Sequence, residues 1–297
     1  MTAPDVLYDA PGPRSRRRIL WGTAAALTAL AALLALAIAR LSRQGQLDEA
    51  KWGPLINPSD PQFGLVWEFL GGGLVATLQA AAISIVLSLA LGSALAVARV
   101  SATRAYRWAV VGFIELFRGV PVVMSVFFAA RVLPEIGIDL PTMWFLVIGL
   151  TLYNSVVIAE VIRAGIQALP KGQAEAAYAI GLTQGATLRL ILLPQAFRIT
   201  LPALIGQLVV VLKDTSLGFI ISYEELLRRG QIAVQTLENP LQMFCVIGTL
   251  FILVNFSLSQ LAEAVERRMS RPPRRTDPPA QLDANSPAGA LPAAANR

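Results

Sequence analysis

The chain has 297 residues, of which 55% are hydrophobic and only 15% charged, and its mean hydropathy is +0.58. That excludes a mostly disordered chain, which needs low hydrophobicity and high charge, and it argues against one soluble domain, where about a quarter of residues are charged. There is no histidine, which excludes Ser-His-Asp and Cys-His nucleophile systems, HExxH metal sites and histidine relays. The single cysteine, Cys245, rules out an internal disulfide.

Apolar runs long enough to cross a hydrocarbon core of about 30 Å define the organisation. The first, residues 19–39, has no charge and would make about 31 Å of helix at 1.5 Å per residue. Further spans are expected at 65–98, 106–133, 143–161, 201–222 and 241–261. The fifth is weakened by Lys213 and Asp214, and the third is interrupted by polar residues. The expected fold class is therefore all-α, a polytopic membrane protein with six transmembrane helices. With the N-terminus inside, 17 of the 25 Lys and Arg fall on the cytoplasmic side and 5 on the other. The positive-inside rule then puts both termini in the cytoplasm. The Arg16-Arg17-Arg18 flank and Ala37-Ile38-Ala39 would also fit a cleaved twin-arginine signal, but 21 apolar residues exceed the usual signal core.

This gives a disordered cytoplasmic tail at 1–18, a first transmembrane helix at 19–39, an extracytoplasmic segment at 40–64, a membrane core at 65–268 and a disordered cytoplasmic tail at 269–297. The tails are rich in Pro and Ala and cannot bury a core. Within the second span, Ala80, Ser84, Ser88, Gly92 and Ala96 recur at every fourth position. Such a stripe lets another helix approach closely.

The cytoplasmic connector at 163–200 is too long for a plain turn. Pro170 and Gly172 punctuate it. Residues 173–180 read as a short helix with Glu175 near its positive end, closed by Gly181. A second helix follows from Thr183 until Pro194 stops or kinks it. An isolated Glu-Ala-Ala triplet would mean nothing. Here, however, Glu175-Ala176-Ala177, Gly181, Ile191 and Leu193-Pro194 resemble, at every fixed position, the EAA loop of ABC importer permeases.

Glu115-Leu-Phe-Arg118-Gly119-Val-Pro121, the run from Glu160 through Arg163 to Gln173, and Leu212-Lys213-Asp214-Thr215-Ser216-Leu217 are similar to the polar amino-acid branch, the histidine, glutamine, glutamate and arginine permeases. The extra first span resembles the glutamate-type members. This resemblance covers roughly residues 72–268. It implies a coupling helix that docks in a cytoplasmic ABC ATPase dimer, a second permease subunit, same or homologous, and an extracytoplasmic amino-acid-binding protein. No catalytic residue, metal or cofactor is expected in this chain. It has no G-x-x-x-x-G-K-[ST] motif, so ATP is bound by the partner.

Charges within spans are costly and need a reason. Lys213 and Asp214 are adjacent, about 100° apart on a helix, and cannot pair well with each other. Counted from residue 201, Lys213 falls near the midplane. Two readings stand for Lys213, Asp214, Thr215 and Ser216: they line the translocation path, or the charges pair with another span. Glu115 and Arg118, at i,i+3, are either path residues or a pair on one helix face. Gly119 and Pro121 should loosen the helix just beyond them. Asn154 bonds either a neighbouring helix or substrate. The competing function is a secondary transporter or channel not driven by ATP, which would leave the EAA loop idle.

Overall fold

The computed structural model describes residues 12–101 and 104–269; the tail expectations for 1–11 and 270–297 lie outside them. Among the described residues the chain is helical, with no strand. Helix α1 (Pro13–Arg43) begins with proline in the first turn, where a missing N–H costs nothing. It therefore takes in residues 13–18, which the sequence reading had assigned to a disordered tail, and it runs past residue 39. No residue of α1 is buried. The expected extracytoplasmic segment holds a short helix, α2 (Glu49–Ile56).

The core starts with α3 (Phe63–Ser101), about 58 Å long at 1.5 Å per residue. It packs most extensively on α6 (Thr142–Ala168). The small-residue stripe makes this possible: Ala80, Ser84, Ser88, Gly92 and Ala96 are all buried. Around that seam one apolar cluster joins Ala96, Ile158 and Ile162 to Leu188 and Leu204. A second joins Ala80 to Val126, Leu146 and Leu150.

The third expected span is not one helix. It is α4 (Arg104–Gly119) and α5 (Val122–Glu135), bent by 104°. Pro121 has no N–H to continue α4 and disfavours helical geometry at Val120. Among the described residues there are thus five helices long and apolar enough to cross a membrane, six if the bent pair counts as one span.

The fifth span is longer than the apolar run suggested. Pro194 does not end the helical path. Helix α8 (Gln184–Thr187) and a π-helical turn (Leu188–Leu192) lead into α9 (Leu193–Asp214). The π turn shifts the ladder where the proline ring would strike the carbonyl four residues back. A 3-10 turn (Thr215–Ile221), α10 (Leu226–Leu237) and α11 (Pro240–Met269) complete the chain.

At the end of the bundle opposite the 163–200 connector, α10 lies close against α3. A side chain on Gly73 would come within 3.0 Å of the Leu226 Cα, so only glycine allows this approach. The Leu226 N–H donates to the Thr77 hydroxyl and the Tyr223 hydroxyl donates to the Ala76 carbonyl. The Arg229 guanidinium donates to the Phe69 carbonyl and lies 4.9 Å from the Phe69 ring centre. Buried Glu225 caps α10 by accepting from the N–H groups of Leu227 and Arg228. Burial pushes its carboxyl up to about 7, partly offset by those two backbone bonds. The α2 segment is sewn to the same end: Trp67 donates to the Leu55 carbonyl and Asn239 to the Lys51 carbonyl.

Candidate functional site

Two regions carry the residues singled out from sequence, one at each end of α9. At the connector end, α6 stops at Ala168 and Pro170 starts α7 (Lys171–Ala179). Glu160 of α6 accepts from Arg99 of α3 and from Arg163 one turn on, and Arg163 reaches Gln167 at 2.6 Å. This ion cluster, with Arg99 and Glu160 each 17% exposed, pins the base of the connector to α3.

Helix α7 begins two residues earlier than expected. Glu175 is therefore its fifth residue and not in the first turn, and the helix dipole does little for it. The end of α7 follows a Schellman turn. Gly181 has φ +85° and donates to the Tyr178 carbonyl, and Leu182 donates to the Ala177 carbonyl. Nothing lies within 4 Å of where a Gly181 side chain would start. The position thus restricts backbone handedness and not side-chain size.

The seven loop residues divide by exposure. Ala177 is buried, and Ile191 and Leu193 are half-buried against the bundle. Glu175, Ala176, Gly181 and Pro194 are exposed. Beside them stand two apolar side chains that the sequence reading missed, Tyr178 (48% exposed) and Ile180 (77% exposed). Helix α7 thus presents a carboxylate and two large apolar groups to the exterior. Gln195 of α9 donates to both Gln173 and the Ile191 carbonyl, which ties α7 to the π turn and α9.

At the other end, Lys213 and Ser216 line a groove of about 540 Å³ between α9 and α11, closed by Phe244, Ile247, Phe251 and Asn255. Lys213 is exposed, Asp214 half-buried, and neither makes an ion pair among the described residues. That removes pairing with another span of this chain. Thr215 departs from its expected place: it is buried, and its hydroxyl donates to the Leu212 carbonyl. The Ser216 hydroxyl is likewise engaged with the Lys213 carbonyl.

Asn154 is fully buried and serves as a crosslink. It donates to the Leu150 carbonyl and accepts from Gln207 of α9 at 2.7 Å. Lys213 lies six residues beyond Gln207, about 9 Å further along α9 and away from the middle of α6. Glu115 and Arg118 are both exposed on α4 and do not pair with each other among the described residues. Val110 and Ile114 hold α4 to Val156 of α6. Glu115 and Arg118 are thus exposed on α4, Asn154 is buried between α6 and α9, and Lys213 lines the groove between α9 and α11.

The comparisons with known proteins agree with this architecture. Residues 88–271 match the family described as binding-protein-dependent transport system inner membrane component. The chain is 42% identical over 234 residues to the glutamate transport system permease protein GluD of Corynebacterium glutamicum, covering 77% of this chain and 83% of that one. It is 31% identical to the arginine transport system permease protein ArtQ of Bacillus subtilis, covering 68% and 92%. A solved structure of an amino acid ABC transporter with histidines superposes with TM-score 0.64 at 27% identity, covering 69% of this chain and 96% of that one. This chain therefore belongs to the binding-protein-dependent transport system inner membrane components, and it is a multi-pass permease subunit of an ABC importer.

Proposed function

We propose that this permease imports a polar amino acid of the glutamate class, with the 163–200 connector and both termini in the cytoplasm. In this reading α7 and the Gly181 turn dock on a cytoplasmic ABC ATPase dimer. A second permease subunit completes the path, and an extracytoplasmic binding protein delivers substrate to the end where α2 and α10 lie. The observation that carries the coupling role is the exposed face of α7, with Glu175, Tyr178 and Ile180 outward and Gln195 linking that helix to α9. The relatives' own names support the substrate class, and the bias of 17 Lys and Arg to 5 supports the orientation.

Lys213 is the best-supported path residue. It is a cation that makes no salt bridge among the described residues, at the mouth of an apolar groove, with Asp214 beside it in sequence. Glu115 and Arg118 lie exposed beside the break at residues 119–121, where backbone groups freed from the helix ladder need polar partners in the membrane. The second permease subunit is the partner this reading assigns to that face.

Uptake tests the reading directly. The chain is coexpressed with its ATPase and binding protein, purified and reconstituted in liposomes, and given radiolabelled glutamate, glutamine or arginine. ATP-dependent accumulation of glutamate over arginine is expected. A preparation that accumulates arginine alone overturns the glutamate assignment. One that retains no ATPase overturns the coupling role of α7.

A further inference from the structure

A second pocket, of about 330 Å³, opens where the end of α5 meets the start of α6 and the turn after the 3-10 segment. Phe127, Arg131, Thr142, Phe145, Ile221 and Ser222 line it. Arg131 lies 5.8 Å from the ring centre of Phe127, so its guanidinium is held over the ring at the pocket. It makes no ion pair among the described residues, although Glu135 is one turn away on the same helix. Neither Glu135 nor Asp139 lines the pocket.

Thr142 is the first residue of α6, whose opening N–H groups carry partial positive charge. Ser222 is at φ +61°, a left-handed conformation that a serine adopts at a cost and a glycine without one. The turn around it has the hydrogen bonds of a helix-ending glycine: Ser222 donates to the Phe219 carbonyl and Tyr223 to the Gly218 carbonyl. Ser222 thus places a hydroxyl at the pocket from a conformation that glycine would adopt at less cost.

We propose that this pocket is an entry site for the carboxylate of the transported amino acid, with Arg131 and Ser222 as its specificity-determining residues. A cation over an aromatic ring, two hydroxyl side chains and a helix start form a donor set for a carboxylate, and the volume suits a small molecule. The site rests on the reading that this end of an amino-acid importer faces the binding protein. An acidic side chain of that binding protein is the rival occupant. Arg131, Thr142 and Ser222 are themselves exposed at the pocket, and the half-stimulating concentration of binding protein separates the two occupants.

The experiment uses the reconstituted permease–ATPase complex with its binding protein and L-glutamate as the probe. It records glutamate moved per ATP hydrolysed and the binding-protein concentration that half-stimulates hydrolysis. For Arg131→Gln, the ratio of glutamate to ATP is expected to fall about tenfold, as for loss of one charge-assisted hydrogen bond, with half-stimulation unchanged. Arg131→Lys should retain more of the ratio. Ser222→Gly should lower the ratio while the unfolding temperature stays equal or rises, which a purely structural serine would not do. A rise in the half-stimulating concentration for Arg131→Gln overturns the proposal in favour of protein docking, and an unchanged ratio overturns it outright. A wild-type complex that moves no glutamate, glutamine or arginine overturns the importer reading and this site with it.

Discussion

The turns at Gly181 and Ser222 have the same hydrogen-bond pattern and the same left-handed residue, yet one uses glycine and the other serine. At Gly181 the turn only redirects the chain, from α7 into the helix that leads to α9, and the position is open and exposed. Glycine is then the least costly residue. At Ser222 the chain must also present a side chain to a pocket. Backbone handedness therefore sets the residue at one turn, and the chemistry of the site sets it at the other.

The largest effect that would break this contrast is at the connector. Gly181→Val forces a β-branched residue into a left-handed turn, and it should abolish uptake while leaving the protein in the membrane. Gly181→Asn, which tolerates that conformation, should keep most uptake. Equal activity of the two variants in the liposome assay would show that handedness is not what this turn requires. Glu175→Lys comes next. Because Glu175 is outside the first turn of α7, its effect should appear as weaker ATPase retention on copurification and not as lost helix content.

Lys213→Met sharpens the comparison from the other end of α9. The groove keeps its shape but loses its cation, so assembly should persist while glutamate-stimulated ATP hydrolysis falls several-fold, as when a charged hydrogen-bond partner is lost. A drop in assembled complex with unchanged selectivity in what remains would make Lys213 a structural residue. Ser222→Gly should raise stability by about 1 kcal/mol, the usual order for relieving one left-handed non-glycine residue; thermal unfolding of the purified subunit measures it.

The smallest effect is at Glu225. Its carboxyl is raised from 4.5 to about 7, so the folded state holds an extra proton between those values. The resulting stabilisation is full below about 4.5 and is lost as pH rises through 7. Amide exchange in α10 should therefore speed up from pH 5 to pH 8 beyond its intrinsic pH dependence. The increment should vanish in Glu225→Gln.

Some of this was legible in the sequence for physical reasons. The α3 stripe shows because small residues at a period of four have no other use in a membrane helix, and Gly181 shows because it follows a run of helix formers. The break at 119–121 was half legible: glycine and proline announce an interruption, but the 104° bend comes from α4 and α5 packing on different parts of α6. The buried roles of Asn154 and Thr215 were not legible. The Gln207 that engages Asn154 is 53 residues away, and Thr215 is buried by the turn that follows it. Nor was the Arg131 pocket, which joins α5 to a serine 91 residues on whose positive φ leaves no mark in composition.

The isolation of α1 has a consequence for how the molecule is made. Its 31 residues bury nothing against the remainder of the chain, so this helix has finished folding once it has crossed the bilayer. Every later helix must wait for a neighbour: α3 for α6, α6 for α9, α10 for α3. Helix α1 can thus take up its orientation before the tertiary contacts of the later helices exist. The bonds from Asn239 to the Lys51 carbonyl of α2 and from Gln242 to Gln46 ahead of it then close the far end only after α11 has been synthesised.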